Sequence, residues 1–229
     1  MFAMSVYGDG ADAVVSSRRL RDVFPDAKID VVFDGSAPAS AEPNEQIAAQ
    51  LAGLSVEIVH GERVKVPGSG GAYLHRFFER LLQSRAEYLI KVDPDTVAHR
   101  RFTHFPAAAA FFGTVLERGT ALEHVQGGCV GLRRDACRRL VDAGISLDPI
   151  YREPKSWCED PDLLRRVELY EARRGALCTD FMLVHMLRRI GVPPVRWWDV
   201  RSLWHHRPRS ARLYALSHPA RSPSAERTF

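Results

Sequence analysis

The feature that most constrains this chain is an alternation of element types across its first hundred residues. Phe2–Gly8 (FAMSVYG) is a short apolar run closed by glycine, and KIDVVFDGS, SVEIVHG and YLIKV are further short runs rich in β-branched residues. Runs of that kind predict strands. Between them lie ADAVVSSRRLRDVF, EQIAAQLAGL and GGAYLHRFFERLLQSRA. In the last of these, Leu74, Phe77, Phe78, Leu81 and Leu82 recur at helical spacing, which predicts an amphipathic helix. Strands alternating with helices in this order predict an α/β protein: a mostly parallel, Rossmann-like central sheet flanked by helices.

Downstream the alternation loosens. AAAAFFGTVLE is expected to be helical, and HVQGGCVGL to be a glycine-rich strand or turn. RRDACRRLVDAG, DLLRRVELYEARRG and TDFMLVHMLRRIG read as helices, and VRWWDV as a strand. A chain of 229 residues with 45% hydrophobic content suits a single domain with a real core. The expected domain covers residues 1–206, followed by an Arg/Pro/Ser-rich tail, 207–229, that is mobile in part. No run approaches the roughly eighteen apolar residues of a membrane-spanning helix. The N-terminal stretch has no basic region ahead of its apolar run, so no signal peptide is expected and the expected compartment is the cytoplasm. Cys129, Cys137, Cys158 and Cys178 form no C-x-x-C pair, which argues against a structural zinc site or a disulfide framework.

The net charge is +4 and the pI about 9.0, yet only four of the 32 basic residues are lysines. Arginine suits two-point recognition of phosphate, so a phosphate-bearing ligand is compatible. The arginines are scattered beside acids, and no basic run interleaves with aromatics, so nucleic acid is not an expected partner. The basic balance is compatible with peripheral contact at an anionic membrane surface.

Two stretches carry Asp-Pro-Asp: IKVDPDTV, with Asp93 and Asp95, and WCEDPDLL, with Asp160 and Asp162. With 15 aspartates in the chain, Asp-x-Asp arises by chance about once, so context must decide. In the second copy Asp160 can cap a helix whose first residue is Pro161, which accounts for the whole pattern. The first copy follows directly on a buried-type strand, and ligands of open α/β sheets gather outside the carboxyl ends of strands. Two carboxylates with only Lys91 as a basic neighbour repel each other unless a cation or shared proton intervenes. The metal site is therefore expected at Asp93 and Asp95.

The strand–helix alternation, VDPDT, the glycine-rich VQGGCVGLRRDA and a late histidine together resemble a nucleotide-sugar-dependent glycosyltransferase of the GT-A fold. The resemblance runs from about Phe2 to His206 and rests on the order of several short motifs. It implies transfer of a sugar from a nucleotide diphosphate donor, UDP-linked by expectation, to an acceptor hydroxyl. Residues 1–97 would form the donor-binding half and 98–206 the acceptor side. Asp93 and Asp95 would hold Mn²⁺ or Mg²⁺ against the donor diphosphate, with Asp93 also near the ribose or sugar, and His205 or His206 would supply a third ligand. Tyr7, Gly8 and Asp34 would hold base and ribose, and Arg76 would contact the donor. Gly127 and Gly128 would line the sugar and acceptor side. Trp157, Trp197, Trp198 and Trp204 are candidates for stacking on a sugar ring, Trp157 foremost. Asp180 would be the general base of an inverting transfer, expected over a retaining one, with Asp160 as the rival base.

A different enzyme class uses the same acids. In haloacid-dehalogenase-like phosphohydrolases Asp93 would be the nucleophile and Asp95 the acid. That family carries its motif on the first strand and needs a later lysine and acidic pair, for which Lys155 and Glu159–Asp160 would have to serve. A nucleotidyltransferase would carry a basic residue in the loop after the first strand, and YGDGADA has none.

Overall fold

The computed structural model describes residues 1–66, 68–153, 155–174, 178–202 and 213–218. The alternation read from the sequence is realised element by element: β1 (Phe2–Val6), α1 (Gly10–Val23), β2 (Ile29–Asp34), α2 (Asn44–Ala52), β3 (Glu57–Gly61), α3 (Gly70–Gln83) and β4 (Tyr88–Val92). After the two-residue strand β5 (Val97–Ala98) come β6 (Phe111–Leu116), β7 (His124–Arg133), α4 (Arg134–Asp142), α5 (Pro161–Arg174) and α6 (Cys178–Arg189). Three short strands follow, β8 (Val195–Arg196), β9 (Val200–Ser202) and β10 (Leu216–His218).

Seven strands form one sheet in the order β3-β2-β1-β4-β7-β6-β8. The first four are mutually parallel, β7 runs antiparallel between β4 and β6, and β8 is parallel to β6. The fold is α/β with a mostly parallel central sheet flanked by helices, as its alternation predicts. Strand order reverses between β1 and β4, which opens a crevice at their carboxyl ends. A second sheet, β5-β10-β9, sits beside it.

The apolar stripe of α3, with Tyr73, Leu74, Phe77, Phe78 and Leu81, packs on one face of the large sheet together with Leu140 of α4 and Phe181 of α6. On the other face Val14 and Leu20 of α1 and Ile47 and Leu51 of α2 pack with Trp197 and Leu216. Leu216 thereby ties the small sheet to the same core.

One element differs in type. Residues 111–116, expected to continue an alanine-rich helix, form β6. Phe111 and Phe112 are both fully buried and enter opposite cores, one on each face of the sheet. Adjacent residues point to opposite faces only in a strand, so the demand for two buried rings outweighs the helical preference of the alanines. Gly131 of β7 makes room for the Phe112 ring, which would collide with any Cβ there. Within the segment expected to be a tail, Leu216, Ser217 and His218 are buried as β10.

Candidate functional site

Asp93 follows the last residue of β4, and Asp93–Thr96 is a tight turn closed by Thr96 N–H donating to the Asp93 carbonyl at 3.0 Å. Pro94 occupies the second position of the turn, where its fixed φ is favoured. The turn is pinned to β7, since the Gly128 carbonyl accepts from Asp93 N–H at 3.0 Å and from the Thr96 hydroxyl at 3.1 Å. This geometry holds both acids on one side, where His218 of β10 meets them. His218 Nε2 lies 3.0 Å from Asp95 Oδ1 and 3.3 Å from Asp93 Oδ2.

Among the described residues this is the one group of three such side chains able to share an ion, with ligand atoms within 4.8 Å of one another. The imidazole nitrogen pairs with both carboxylates. Separations of this size are also those of adjacent ligands on a small octahedral cation, about 3 Å for bonds of about 2.1 Å. The two carboxylates suit Mn²⁺ or Mg²⁺ by donor type, and the imidazole, a softer donor, is better accepted by Mn²⁺ than by Mg²⁺, so the residues fit Mn²⁺ best. Burial disfavours protonation of His218, but the facing carboxylates outweigh it and push its pKa up to about 9.

Lys91, two residues before Asp93 on the same face of β4, places Nζ 2.6 Å from Asp93 Oδ1 and 2.6 Å from the Gly127 carbonyl. Burial raises the Asp93 pKa, but Lys91 and His218 outweigh it and hold the carboxyl well below its usual range. Asp180, in the first turn of α6, is buried and accepts from Gly127 N–H. Burial, opposed in part by Lys91, pushes its pKa up to about 6.

The two glycines of VQGGCVG have separate reasons. A Cβ on Gly127 would collide with the Asp180 carboxylate, and one on Gly128 with the His218 ring. Bare backbone lets an acid approach from one side and a histidine from another.

The nucleotide-side candidates also gather at strand ends. Tyr7 follows β1 and is 38% exposed, with the Arg63 guanidinium 3.1 Å from its ring centroid. Gly8 adopts a φ of 79°, in the left-handed region. Asp34, at the end of β2, is fully buried, and its carboxylate accepts from Val64 N–H at 2.8 Å and Lys65 N–H at 3.0 Å. Arg76 pairs with it at 3.0 Å and donates to the Glu62 carbonyl. In this structure Asp34 and Arg76 hold the 62–66 loop over the crevice.

Other candidates lie elsewhere. Asp160 caps α5 through Asp162 N–H at 2.9 Å and Leu163 N–H at 3.2 Å. Trp157 is buried in the core, its ring 5.1 Å from that of His185. Trp197 is a core residue, while Trp198 is exposed beneath Arg196. Lys155 contacts Glu171 at 2.8 Å and Glu168 at 3.8 Å. His205, His206 and Trp204 lie outside the described residues. Sequence reasoning missed His218, because LYALSH is a short, mainly apolar run inside a segment of tail-like composition. That run, ending in a ligand-type residue, was the one available signal.

No helix among the described residues is long and apolar enough to cross a membrane. No protein-family model matches the sequence, and no curated protein matches it. Among solved structures, the chain is similar to the galactosyltransferase LgtC in complex with donor and acceptor sugar analogues, at 13% identity and a TM-score of 0.49, over 97% of this chain and 87% of that one. An active-site mutant of LgtC gives 11% identity and a TM-score of 0.48, over 96% and 87%. The mannosyltransferase PcManGT from Pyrobaculum calidifontis, in complex with GDP-Man and Mn²⁺, gives 13% identity and a TM-score of 0.43, over 61% of this chain and 45% of that one. These are likenesses at low identity.

Proposed function

We propose that this chain is a glycosyltransferase that moves a sugar from a nucleotide diphosphate donor to an acceptor hydroxyl. The observation that carries the reading is the convergence of Asp93, Asp95 and His218 beside the β1/β4 crevice, with Asp180 facing them across Gly127. Asp93, Asp95 and His218 would hold the divalent cation. Bound there, it would neutralise charge developing on the departing nucleoside diphosphate.

Asp180 is suited to the acceptor side. A carboxyl with a pKa of about 6 is ionised at neutral pH yet more basic than an exposed aspartate. In the transfer, the acceptor oxygen bonds to the sugar's anomeric carbon as that carbon's bond to the diphosphate oxygen breaks. The acceptor proton goes to Asp180, and the diphosphate leaves. Tyr7 at the end of β1 is suited to stack on the base, and Arg76 and Lys65 lie beside the same crevice.

Thermal stability measured with UDP and GDP, each with and without Mn²⁺, tests the reading, because a ligand of the native state raises its stability. Stabilisation that needs nucleotide and Mn²⁺ together is expected, and Asp95→Asn should abolish it while leaving the fold intact. Stabilisation by Mg²⁺ with a phosphate mimic, and none by nucleotides, would replace this reading with phosphohydrolysis.

A further inference from the structure

Lys91 is out of place by composition. It sits in YLIKV on a strand flanked by β1 and β7, between buried Ile90 and Val92. Lysine is among the residues least often buried unless paired. Side chains alternate along a strand, so Lys91 and Asp93 share the face that Tyr73 and Asp180 line. Its ammonium bonds one oxygen of Asp93, Oδ1, and the carbonyl of Gly127. The other oxygen of Asp93, Oδ2, is the one that faces His218. Lys91 thus divides the carboxylate, keeping one oxygen for itself and presenting the other to the cluster. Through Gly127 of β7, whose N–H is held by Asp180, it also links the acid turn to the start of α6, the helix that carries Asp180.

We propose that Lys91 is a resident counter-ion and positioning residue, which fixes the Asp93 carboxylate by holding one of its oxygens against the Gly127 carbonyl and leaving the other turned toward His218. The inference rests on the reading of Asp93, Asp95 and His218 as the cation site. Two consequences follow from charge alone. Removing the ammonium takes away the closer of the two cationic partners of a largely buried carboxylate and leaves His218 alone on its other oxygen, which is unfavourable. It also removes a positive charge that opposes a cation bound nearby, so cation affinity should rise.

The test is Lys91→Met, compared with Asp93→Asn and with the double variant, in thermal melts without metal and in Mn²⁺ titrations followed by electron paramagnetic resonance. Lys91→Met is expected to melt lower than the native chain, and Asp93→Asn in the same chain is expected to restore much of the loss. Mn²⁺ should bind Lys91→Met about tenfold or more tighter and raise its melting temperature more than it raises that of the native chain. Additive effects in the metal-free cycle, or Mn²⁺ binding no tighter in Lys91→Met, would overturn the proposal. If Lys91→Met does not fold, folding of the double variant supports the counter-ion role, and failure of both overturns it. Absence of Mn²⁺ binding to the native chain would instead remove the metal reading, while the metal-free cycle would still decide the role of Lys91.

Discussion

At the scale of single residues, the site is arranged by close approach. Asp180 reaches the cluster only because Gly127 has no side chain, and its high pKa comes from burial that Lys91 only partly offsets. Asparagine at 180 keeps the shape and the ability to accept the Gly127 N–H but cannot take a proton. Asp180→Asn is therefore expected to slow transfer to the acceptor by about 10²–10⁴-fold, the usual worth of a positioned general base, with donor affinity little changed. Steady-state rates beside a nucleotide-binding titration check this. Equal loss in both measurements would make Asp180 a structural or donor-side residue. The role of a capping acid was readable in advance at Asp160, because N-cap, Pro at the first helical position and an acid in the first turn are all local. The role of Asp180 was not, because its sequence fits a cap as well as a base.

At the scale of elements, one side chain closes α3. Arg134, at the start of α4, donates from Nη1 to the carbonyls of Leu81, Ser84 and Ala86 and from Nη2 to that of Leu82. A helix leaves its last carbonyls without partners, and a cation there also suits the helix dipole. These bonds fix the end of α3 just ahead of β4, the strand that delivers the acid turn. Arg134→Ala is expected to cost about 1–3 kcal/mol of stability, as for loss of charged hydrogen bonds to partly buried groups. A denaturant midpoint shift at unchanged slope would register it, and a shift too small to measure would mean that water replaces the guanidinium. Helix periodicity made α1, α3, α4, α5 and α6 legible. β6 was not, because its first residues belong to an alanine-rich run and only the two buried faces around Phe111 and Phe112 make it a strand.

At the scale of the whole molecule, the small sheet decides whether the site exists. Asp199, fully buried between β8 and β9, accepts from Thr103 N–H at 2.8 Å and His104 N–H at 2.5 Å and pairs with Arg100 at 3.1 Å. Its carbonyl accepts from Ala215 N–H at 2.7 Å, which leads the chain into β10. Burial raises the Asp199 pKa, but the hydrogen bonds from Thr103, His104 and Arg100 outweigh it and leave the carboxyl below its ordinary value. A folded pKa below the unfolded value of about 3.9 contributes stability that is present above that value and lost as pH falls through the folded one. Asp199→Asn should therefore be less stable than the native chain at neutral pH, and the difference should shrink as the solution is acidified below pH about 4. Melting curves across pH 2–7 check the sign. A difference that stays constant over that range would make the role of Asp199 one of shape alone.

What the sequence by itself determined is what short-range periodicity and turn chemistry carry: the alternating strands and helices of the first half, the open α/β sheet they imply, and the helix cap at Asp160 as against the turn after a strand at Asp93. Each of those follows from residues within a turn or two of one another. What only the tertiary structure decided is which distant groups complete the site. His218 lies over 120 residues beyond Asp95 and reaches it because Leu216 and Ser217 pair with Ala98 and Val97 in antiparallel register. Asp180 faces Lys91 and Gly127 because α6 packs on the face of β4 and β7 that those residues share. Pairings between strands and helices so far apart in the chain are set by which apolar faces can be buried together, and no local pattern encodes that.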